Sequence, residues 1–380
     1  MAIFNIKTDL VVQYRNTSGV MVAIQADTIE VDIDRGITVE SGVFARPDTG
    51  TMTVRMMKSS LSDLLTSPGY RSNQLIQVLA QGQSLFYGII QNIQISYMVE
   101  TKQIEVTITA NDFAKIFSNL TLTTFTIPSG AHSTRNFKTC MSYLNTAIST
   151  IDSRMSLTQY GTAAGATSQY ANVWDDTQAG EIVSGFLDAE LGWMFTTNNG
   201  SNMFYMTRYD VDALQATTWS NTRRTISNVH STSSYHVCMN AIDMSYDSDN
   251  LANYVTVTDP SNATTRSASN STSISTYGRQ DGKYQVEFDY STGAPSTLTQ
   301  WAQAVATAAN PKSIKSVSCP AVKRDGNLSP LVAVEVADVQ QVEFAATGYT
   351  TLQEIYLVTR VKHNITAEHW EITLDLWRGI

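Results

Sequence analysis

Three observations predict a mainly β protein with an α+β insert. Apolar and polar residues alternate with a period of two through much of residues 1–118, as they do in half-buried strands. Residues 119–235 contain two segments with helical spacing and one hairpin pattern. Alternation then returns in residues 236–380. We therefore predict two β-barrel-like domains, 1–118 and 236–380, flanking a middle α+β domain, 119–235.

The first block consists mainly of alternating segments. In residues 51–56, three apolar side chains share one face: Met52, Val54 and Met56. Residues 89–110 predict a hairpin with a polar turn at Glu100–Lys102. Its first arm places four apolar side chains on one face: Ile93, Ile95, Tyr97 and Val99. Residues 60–70 predict a short helical or loop segment that ends at Pro68-Gly69.

The middle block combines helices with a hairpin. Residues 134–151 have apolar side chains at helical spacing, which predicts an amphipathic helix. A second helix is predicted after Asp176, a good N-cap residue. Gly192 is suited to the left-handed position that follows such a helix. Asn199-Gly200 predicts a hairpin between two short strands.

The last block returns to strands with one helix among them. Residues 297–310 have helical spacing, and Asn310-Pro311 ends the pattern. Strands are predicted at 253–258, 283–290 and 331–344, and a pair of strands is predicted within 354–377. Residues 261–276 contain almost no large apolar side chain, so we predict an exposed loop there.

A short internal similarity links the two β blocks. Ile104–Ala110 and Trp370–Leu376 share the pattern apolar-Glu-apolar-Thr-apolar-polar-apolar. Each segment is the second arm of a predicted hairpin. The similarity suggests two related β domains with the middle block placed between them.

Composition narrows the class of protein. Charged residues make up 16% of the chain, below the ~25% of ordinary soluble domains. Such a surface suits a protein whose faces are covered by neighbours. The net charge of -9 argues against a nucleic-acid binder, which needs a basic surface. The three scattered cysteines have neither a disulfide framework nor zinc spacing: Cys140, Cys238 and Cys319.

The sequence shows no targeting or membrane segment. Its N-terminus lacks the pattern of a signal peptide. No stretch approaches the ~18 to 20 apolar residues that span a bilayer. We therefore expect synthesis in the cytoplasm and no direct membrane insertion.

No pattern of catalytic or metal-binding residues stands out, so we predict no catalytic, cofactor or metal site and no enzymatic activity. The His363–His369 pair brackets Glu368, but the segment alternates like a hairpin rather than a helix. His236 and Cys238 could form a dyad, yet nothing nearby would orient an acid. Asp32 and Asp34 share a strand face and fit its solvated side. Residues 247–254 resemble a calcium loop but lack its glycine and glutamate.

Several segments along the chain match the pattern of a known family. In the first block they are Arg35-Gly36, the alternating Thr51–Met56, Leu85–Ile90 and Thr109–Phe113. In the last block they are residues 275–288, the segment with Trp301, residues 310–320 and residues 358–377. In this order the segments resemble the baseplate hub or tail-tip hub proteins of tailed bacteriophages, the family of the T-even central hub. The resemblance covers nearly the whole chain, and none of its motifs is catalytic.

The resemblance implies a structural virion protein of the tail tip or baseplate. Such hubs form homotrimers in which two tail-tube domains per chain make a pseudo-sixfold ring. That ring would continue the tail tube, adapt it to a threefold tip and form a channel for DNA ejection. The expected partners are the tail tube or distal tail protein, a tape measure protein in the lumen and DNA only in transit. Because the sequence ends at Ile380, directly after its last strand, a separate tip or fibre protein is also expected.

Two alternatives remain open. A hexameric distal tail or tube adaptor would have one tube domain per chain, whereas the hub has two. A non-phage β-rich binding module would more often carry a signal peptide and disulfides. At residue level, Asp34-Arg35-Gly36 is interpreted as the end of a strand. There Gly36 would supply backbone freedom and Arg35 would be a candidate contact with a neighbouring subunit.

Overall fold

The computed structural model describes most of the 380 residues. The described ranges are 4–24, 27–40, 43–58, 70–128, 136–165, 172–220, 223–229, 235–246, 251–259, 264–286, 296–308, 312–323, 327–346 and 351–378. The predicted segment 60–70 lies outside these ranges except for Tyr70, and the calcium-like stretch is described only from Leu251 onwards.

Strands dominate the chain, which confirms the mainly β fold class. The first eight are β1 Leu10–Arg15, β2 Met21–Ala23, β3 Asp27–Glu40, β4 Phe44–Pro47, β5 Thr51–Lys58, β6 Leu75–Ala80, β7 Gln83–Met98 and β8 Gln103–Asn111. The next five are β9 Thr121–Ile127, β10 Ser156–Gln159, β11 Asn172–Gln178, β12 Trp193–Thr196 and β13 Asn202–Met206. The rest are β14 Thr225–Ser227, β15 His236–Cys238, β16 Ala241–Tyr246, β17 Tyr254–Asp259, β18 Thr264–Ser269, β19 Asp281–Gln285, β20 Lys312–Pro320, β21 Val339–Phe344, β22 Leu352–Thr366 and β23 Trp370–Trp377.

Helices lie mainly between and beside the β blocks. They are α1 Ile6–Asp9, α2 Phe113–Asn119, α3 Phe137–Ile151, α4 Ala179–Glu190, α5 Arg208–Gln215, α6 Ser271–Tyr277 and α7 Ser296–Ala308, with a 3-10 turn at Pro330–Ala333. The predicted helices at 134–151 and 297–310 are therefore confirmed, with somewhat shorter bounds.

One 15-stranded sheet contains two units with the same strand order. The first unit runs β3-β5-β8-β7-β6, and the second runs β16-β20-β23-β22-β21. In both units all neighbours are antiparallel, and the chain visits the positions in the same sequence. The flanking strands differ, since β1 is antiparallel to β6 whereas β14 is parallel to β21.

The register confirms the relationship that the internal similarity suggests. A bulge interrupts β7 between Ile90 and Asn92, and a bulge interrupts β22 between Val358 and Arg360. After each bulge, Asn92 pairs with Thr109 and Arg360 pairs with Asp375. When the two bulges are matched, Thr109 of β8 corresponds to Asp375 of β23. This is the same alignment as the sequence similarity between Ile104–Ala110 and Trp370–Leu376. The bounds of the three predicted domains stay a prediction.

The two units join edge to edge within the chain. Residues 30–36 of β3 pair antiparallel with residues 360–366 of β22. Their core-facing side chains belong to one apolar cluster that extends through both units, including Val31, Val54, Ile108, Val361 and Leu374. Burying each such side chain contributes roughly 1.5–3 kcal/mol, so the joint belongs to the main core rather than to a loose contact.

The middle block packs beside the first unit. Helices α3 and α4 share a core with β9, β10 and β13 and with Phe113 and Phe117 of α2. The Asn199-Gly200 hairpin is confirmed as β12–β13, with Thr196 paired to Met203. Its connection is longer than a two-residue turn.

Both predicted ends of helix α4 were wrong. Its N-cap is Gln178, whereas Asp176 lies in strand β11 with a left-handed φ of 48°. At the other end Leu191, not Gly192, takes the left-handed conformation. Gly192 serves close packing instead, because a Cβ there would lie 2.5 Å from the Met206 carbonyl oxygen.

From residue 264 onwards the low-complexity stretch forms regular structure, so the loop predicted for 261–276 was wrong there, while 261–263 lie outside the described ranges. Residues 264–269 form β18, and residues 271–277 form α6, capped by the Asn270 side chain. Small hydroxyl side chains pair across β17 and β18, with 3.1 Å between the hydroxyls of Thr256 and Ser267. Residues 331–338 were also predicted wrongly, since the strand begins only at Val339.

Candidate functional site

The solvent side of the joined sheet is a continuous polar surface, which we call the joint face. Strand alternation assigns every second residue of five adjacent strands to it. Its members are Glu30, Asp32 and Asp34 of β3, Thr51, Thr53 and Arg55 of β5, Glu105, Thr107 and Thr109 of β8, Arg360, Lys362, Asn364 and Thr366 of β22, and Glu371, Thr373 and Asp375 of β23. Six carboxylates and three basic groups give this face a net charge of -3.

Charges on the joint face are paired across strands. Arg55 donates to Glu30 at 2.6 Å and to Glu105 at 3.1 Å, and these carboxylates raise the pKa of its guanidinium. Lys362 contacts Asp375 at 3.0 Å. The pairing neutralises the basic groups locally and leaves an excess of carboxylate and hydroxyl groups.

Arg360 links the two units on this face. It donates to Asp34 at 3.0 Å and also pairs with Asp48, which lies in the connection between β4 and β5. Nearby, the Asn364 amide donates to Asp32 at 2.7 Å. Sequence reasoning placed Asp32 and Asp34 on a solvated strand face correctly. It missed Arg360, because the two partners are 326 residues apart in sequence.

A shallow groove of about 310 Å³ lies at the joint, between β5, β3, β22 and β23. Among its lining residues are Asp32, Asp34, Lys362 and Glu371. Within the described ranges no three His, Cys, Asp or Glu side chains cluster as metal ligands would. The groove therefore offers hydrogen bonding and negative charge without a built metal centre.

The core side of the same joint holds a buried polar cluster. Arg35 is 1% exposed and donates to Glu335 at 2.9 Å, so the prediction that it contacts a neighbouring subunit was wrong. Burial raises the pKa of Glu335, and Arg35 opposes that rise. The Asn198 backbone N–H also donates to Glu335, at 3.3 Å. The cluster thus connects β3, the β12–β13 hairpin and the segment before β21.

Asp112 and His363 also lie near Arg35. Asp112 accepts from the Thr196 hydroxyl at 2.5 Å and from the Ala114 N–H at 3.1 Å, while burial raises its pKa. His363 is enclosed, and burial together with Arg35 lowers its pKa to about 3. A neutral imidazole so enclosed serves the core rather than chemistry at the surface.

Gly36 allows the two units to approach each other. A Cβ at this position would lie 2.4 Å from the Thr359 carbonyl oxygen and 2.7 Å from the Arg360 Cα. Thr359 is the bulge residue of β22. The predicted role of Gly36 is therefore corrected from backbone freedom to close approach between strands.

The remaining candidates do not assemble into a site. His363 is buried in β22 and His369 lies in the exposed turn before β23, which confirms the predicted hairpin. His236 and Cys238 lie two apart on β15, and no hydrogen bond joins them among the described residues. His132 and His230 lie outside the described ranges. Among the described helices, none has the length and apolarity needed to cross a bilayer.

This chain is similar to known proteins in its fold but not in its sequence. No protein-family model matches the sequence, and no curated protein matches it significantly. The fold is similar to that of a tail protein from Neisseria meningitidis MC58, with a TM-score of 0.62 and 12% identity over 97% of this chain and 96% of that one. It is also similar to the 43 kDa tail protein of prophage MuSo2 from Shewanella oneidensis, with a TM-score of 0.59 and 11% identity over 97% and 96% of the two chains.

A third similar structure is the c3393 protein of E. coli. It is described as a component of the type VI secretion system with structural similarity to the T4 bacteriophage tail proteins gp27 and gp5. Its TM-score is 0.50 and its identity 7%, over 94% of this chain and 75% of that one. The resemblance to tail and hub proteins is thus confirmed at the level of the fold.

Proposed function

We propose that this chain is a non-enzymatic structural protein of a bacteriophage tail, acting as the baseplate or tail-tip hub. In this proposal three copies form a ring that continues the tail tube, and the joint face lines its channel. The observation that carries the proposal is the joint face itself. It is a broad, polar, net-acidic sheet surface that runs across two equivalent units of one chain.

The chemistry of the joint face suits a passage for DNA. A DNA-binding surface needs unpaired Lys and Arg to displace counterions from phosphates. Here Arg55, Arg360 and Lys362 are paired with carboxylates, and the net charge is negative. Such a surface repels phosphates and lets a duplex slide without adhering.

Two equivalent units per chain favour the hub over a hexameric adaptor. Three copies would supply six units and match a sixfold tube, while the rest of each chain keeps threefold symmetry for a tip. A hexameric distal tail protein would need only one such unit per chain.

The proposal places the protein in the virion, at the tail tip or baseplate, after synthesis in the host cytoplasm. Its neighbours there would be the tail tube or distal tail protein on one side and a tip or fibre protein on the other. A tape measure protein would occupy the lumen before DNA passes.

Electron microscopy and mass measurement of the purified protein test this function. We expect threefold rings with an open channel, at least when the tube protein is added. A protein that stays monomeric in both conditions, or a sixfold ring of single chains, would contradict the proposal.

A further inference from the structure

Each strand of the internal β3–β22 joint has an equivalent in the other unit, and within the described ranges neither equivalent has the corresponding partner. In the second unit, residues 360–366 of β22 pair with β23 on one side and with β3 on the other. The equivalent residues of the first unit are Asn92–Met98 of β7. Among the described residues, these pair only with β8. Within that part of the chain, no strand pairs with their second edge.

The strand equivalent to β3 also has one edge without a described partner. In the second unit this strand is β16, which among the described residues pairs only with β20. Asp243 of β16 corresponds to Asp32 of β3. Asp243 pairs with Ser316 of β20 and Asp32 pairs with Thr53 of β5, and the matched registers of β23 and β8 make Ser316 and Thr53 equivalent. The sequences agree at this position: Val31-Asp32-Ile33 corresponds to Ile242-Asp243-Met244.

We infer that β16 of one copy pairs antiparallel with the outer half of β7 in the next copy, repeating the β3–β22 joint between molecules. The inference builds on the proposed ring and specifies its subunit interface. Such a head-to-tail contact uses two different surfaces, so repeating it generates a ring where the rotation between copies closes.

The internal joint fixes the register of this contact. Within the chain His363 lies opposite Ile33, and Asn364 lies opposite Asp32. When the same register is applied to β7 and β16, Ile95 lies opposite Met244 and Ser96 lies opposite Asp243. Tyr97 then lies opposite Ile242.

The side chains at these edges fit such pairing. Ile95 is 42% exposed and Tyr97 57%, although both lie on the face that continues the apolar core. Met244 is 40% exposed on the corresponding face of β16. In the inferred register each exposed apolar side chain meets another apolar side chain, and each polar side chain meets a polar one.

Charged residues and proline, two common means of edge protection, are missing from the outer half of β7. Soluble proteins protect open edges with charged residues, proline or bulges. Residues 92–98 contain no charged residue and no proline. An edge of this composition is suited to a permanent strand partner, here a second copy of the chain.

Engineered cysteine pairs test the register in the full-length chain. In a Cys238→Ser background, Ser96→Cys is combined with Asp243→Cys, and Ile95→Cys with Met244→Cys. Directly opposite residues in antiparallel strands have Cα atoms about 4.5–5.5 Å apart, within disulfide range. All four positions are exposed, so the variants should keep the fold.

The control is Ser96→Cys combined with Ala241→Cys, which keeps the same polar face but shifts the register by two residues. Oxidation should give reducible multimers from the matched pairs at least about tenfold faster than from the control pair. Each single-cysteine variant should not form dimers, because the two surfaces differ.

The outcomes separate this inference from the proposed function. Rings seen by microscopy without preferential cross-linking of the matched pairs would overturn the inferred register and leave the hub proposal standing. Cross-linked open chains without rings would support the strand pairing and contradict the ring. If neither rings nor cross-links form at high protein concentration, with or without the tube protein, both fail.

Discussion

The buried imidazole of His363 makes the free energy of unfolding depend on pH. Burial and the Arg35 charge lower its pKa to about 3 from an ordinary 6.5. The folded chain therefore binds fewer protons than the unfolded chain between these values. The contribution of His363 to the free energy of unfolding is fully present above pH 6.5 and is lost as the pH falls towards 3. Between pH 7 and pH 5 we expect a loss of about 2 kcal/mol from this residue.

Urea unfolding of the wild type and of His363→Gln at both pH values measures this contribution. The variant should lose about 2 kcal/mol less than the wild type over the same range. His369→Gln changes an exposed histidine of the same hairpin and should follow the wild type. Parallel behaviour of His363→Gln and the wild type would contradict an enclosed neutral imidazole.

Arg35 contributes through its buried ion pair with Glu335. In Arg35→Met, the Glu335 carboxylate would lose its charged partner while most of it stays buried. We expect a cost of about 3 kcal/mol in the free energy of unfolding, the lower end of the range for broken buried pairs. Adding Glu335→Gln should recover part of that cost.

The matched comparison is Arg154→Met, which breaks a more exposed pair with Asp152 at 2.6 Å. It should cost less than about 1 kcal/mol. Equal effects of the two substitutions in denaturant titrations would argue against the central role of the Arg35 cluster.

At the scale of elements, local patterns predicted those strands and helices that bury one regular face. Residues 51–56 and the helix at 134–151 follow their periods because their own side chains meet the core. The strand Thr264–Ser269 was missed, since its hydroxyl side chains have no apolar period and its pairing partner fixes it. The link between Asp34 and Arg360 could not be predicted, because it depends on two strands meeting from opposite ends of the chain.

The joint between β3 and β22 depends on the absence of a side chain at Gly36. In Gly36→Ala the new Cβ would clash with backbone atoms of Thr359 and Arg360, which cannot move aside as a flexible side chain would. We expect destabilisation of about 1–3 kcal/mol, as for overpacking in a core. Thermal and urea unfolding of the variant measure it.

Gly185→Ala provides the control for this element. Gly185 lies on the exposed face of α4, and a Cβ there would meet no atom within 4 Å. Alanine should stabilise the helix by about 0.5–1 kcal/mol. A Gly36→Ala variant as stable as the wild type would show that the joint tolerates a wider spacing.

At the scale of the whole molecule, two units of the same topology meet edge to edge at the β3–β22 joint. Equivalent strands of the two units carry the same order and the same bulge, so one joint geometry can serve within the chain and between copies. The seven-residue similarity at Ile104–Ala110 and Trp370–Leu376 reflects this shared topology in the sequence, as does the match of Val31–Ile33 with Ile242–Met244. Elsewhere the units need not share residues, because alternation alone satisfies a half-buried strand.

The charge of the joint face leads to a prediction for the assembled ring. Asp32→Lys combined with Glu371→Lys leaves the pairs of Arg55, Arg360 and Lys362 in place, and changes the net charge of the face from -3 to +1, since each reversal adds two. Rings of this variant should retain double-stranded DNA at low salt and release it as salt rises, whereas wild-type rings should not retain it. Filter binding or a gel-shift titration measures both.

As a control, Glu181→Lys with Asp281→Lys makes the same change in total charge at exposed positions outside the joint face. Equal DNA retention by the two double variants would mean that the joint face does not line the passage.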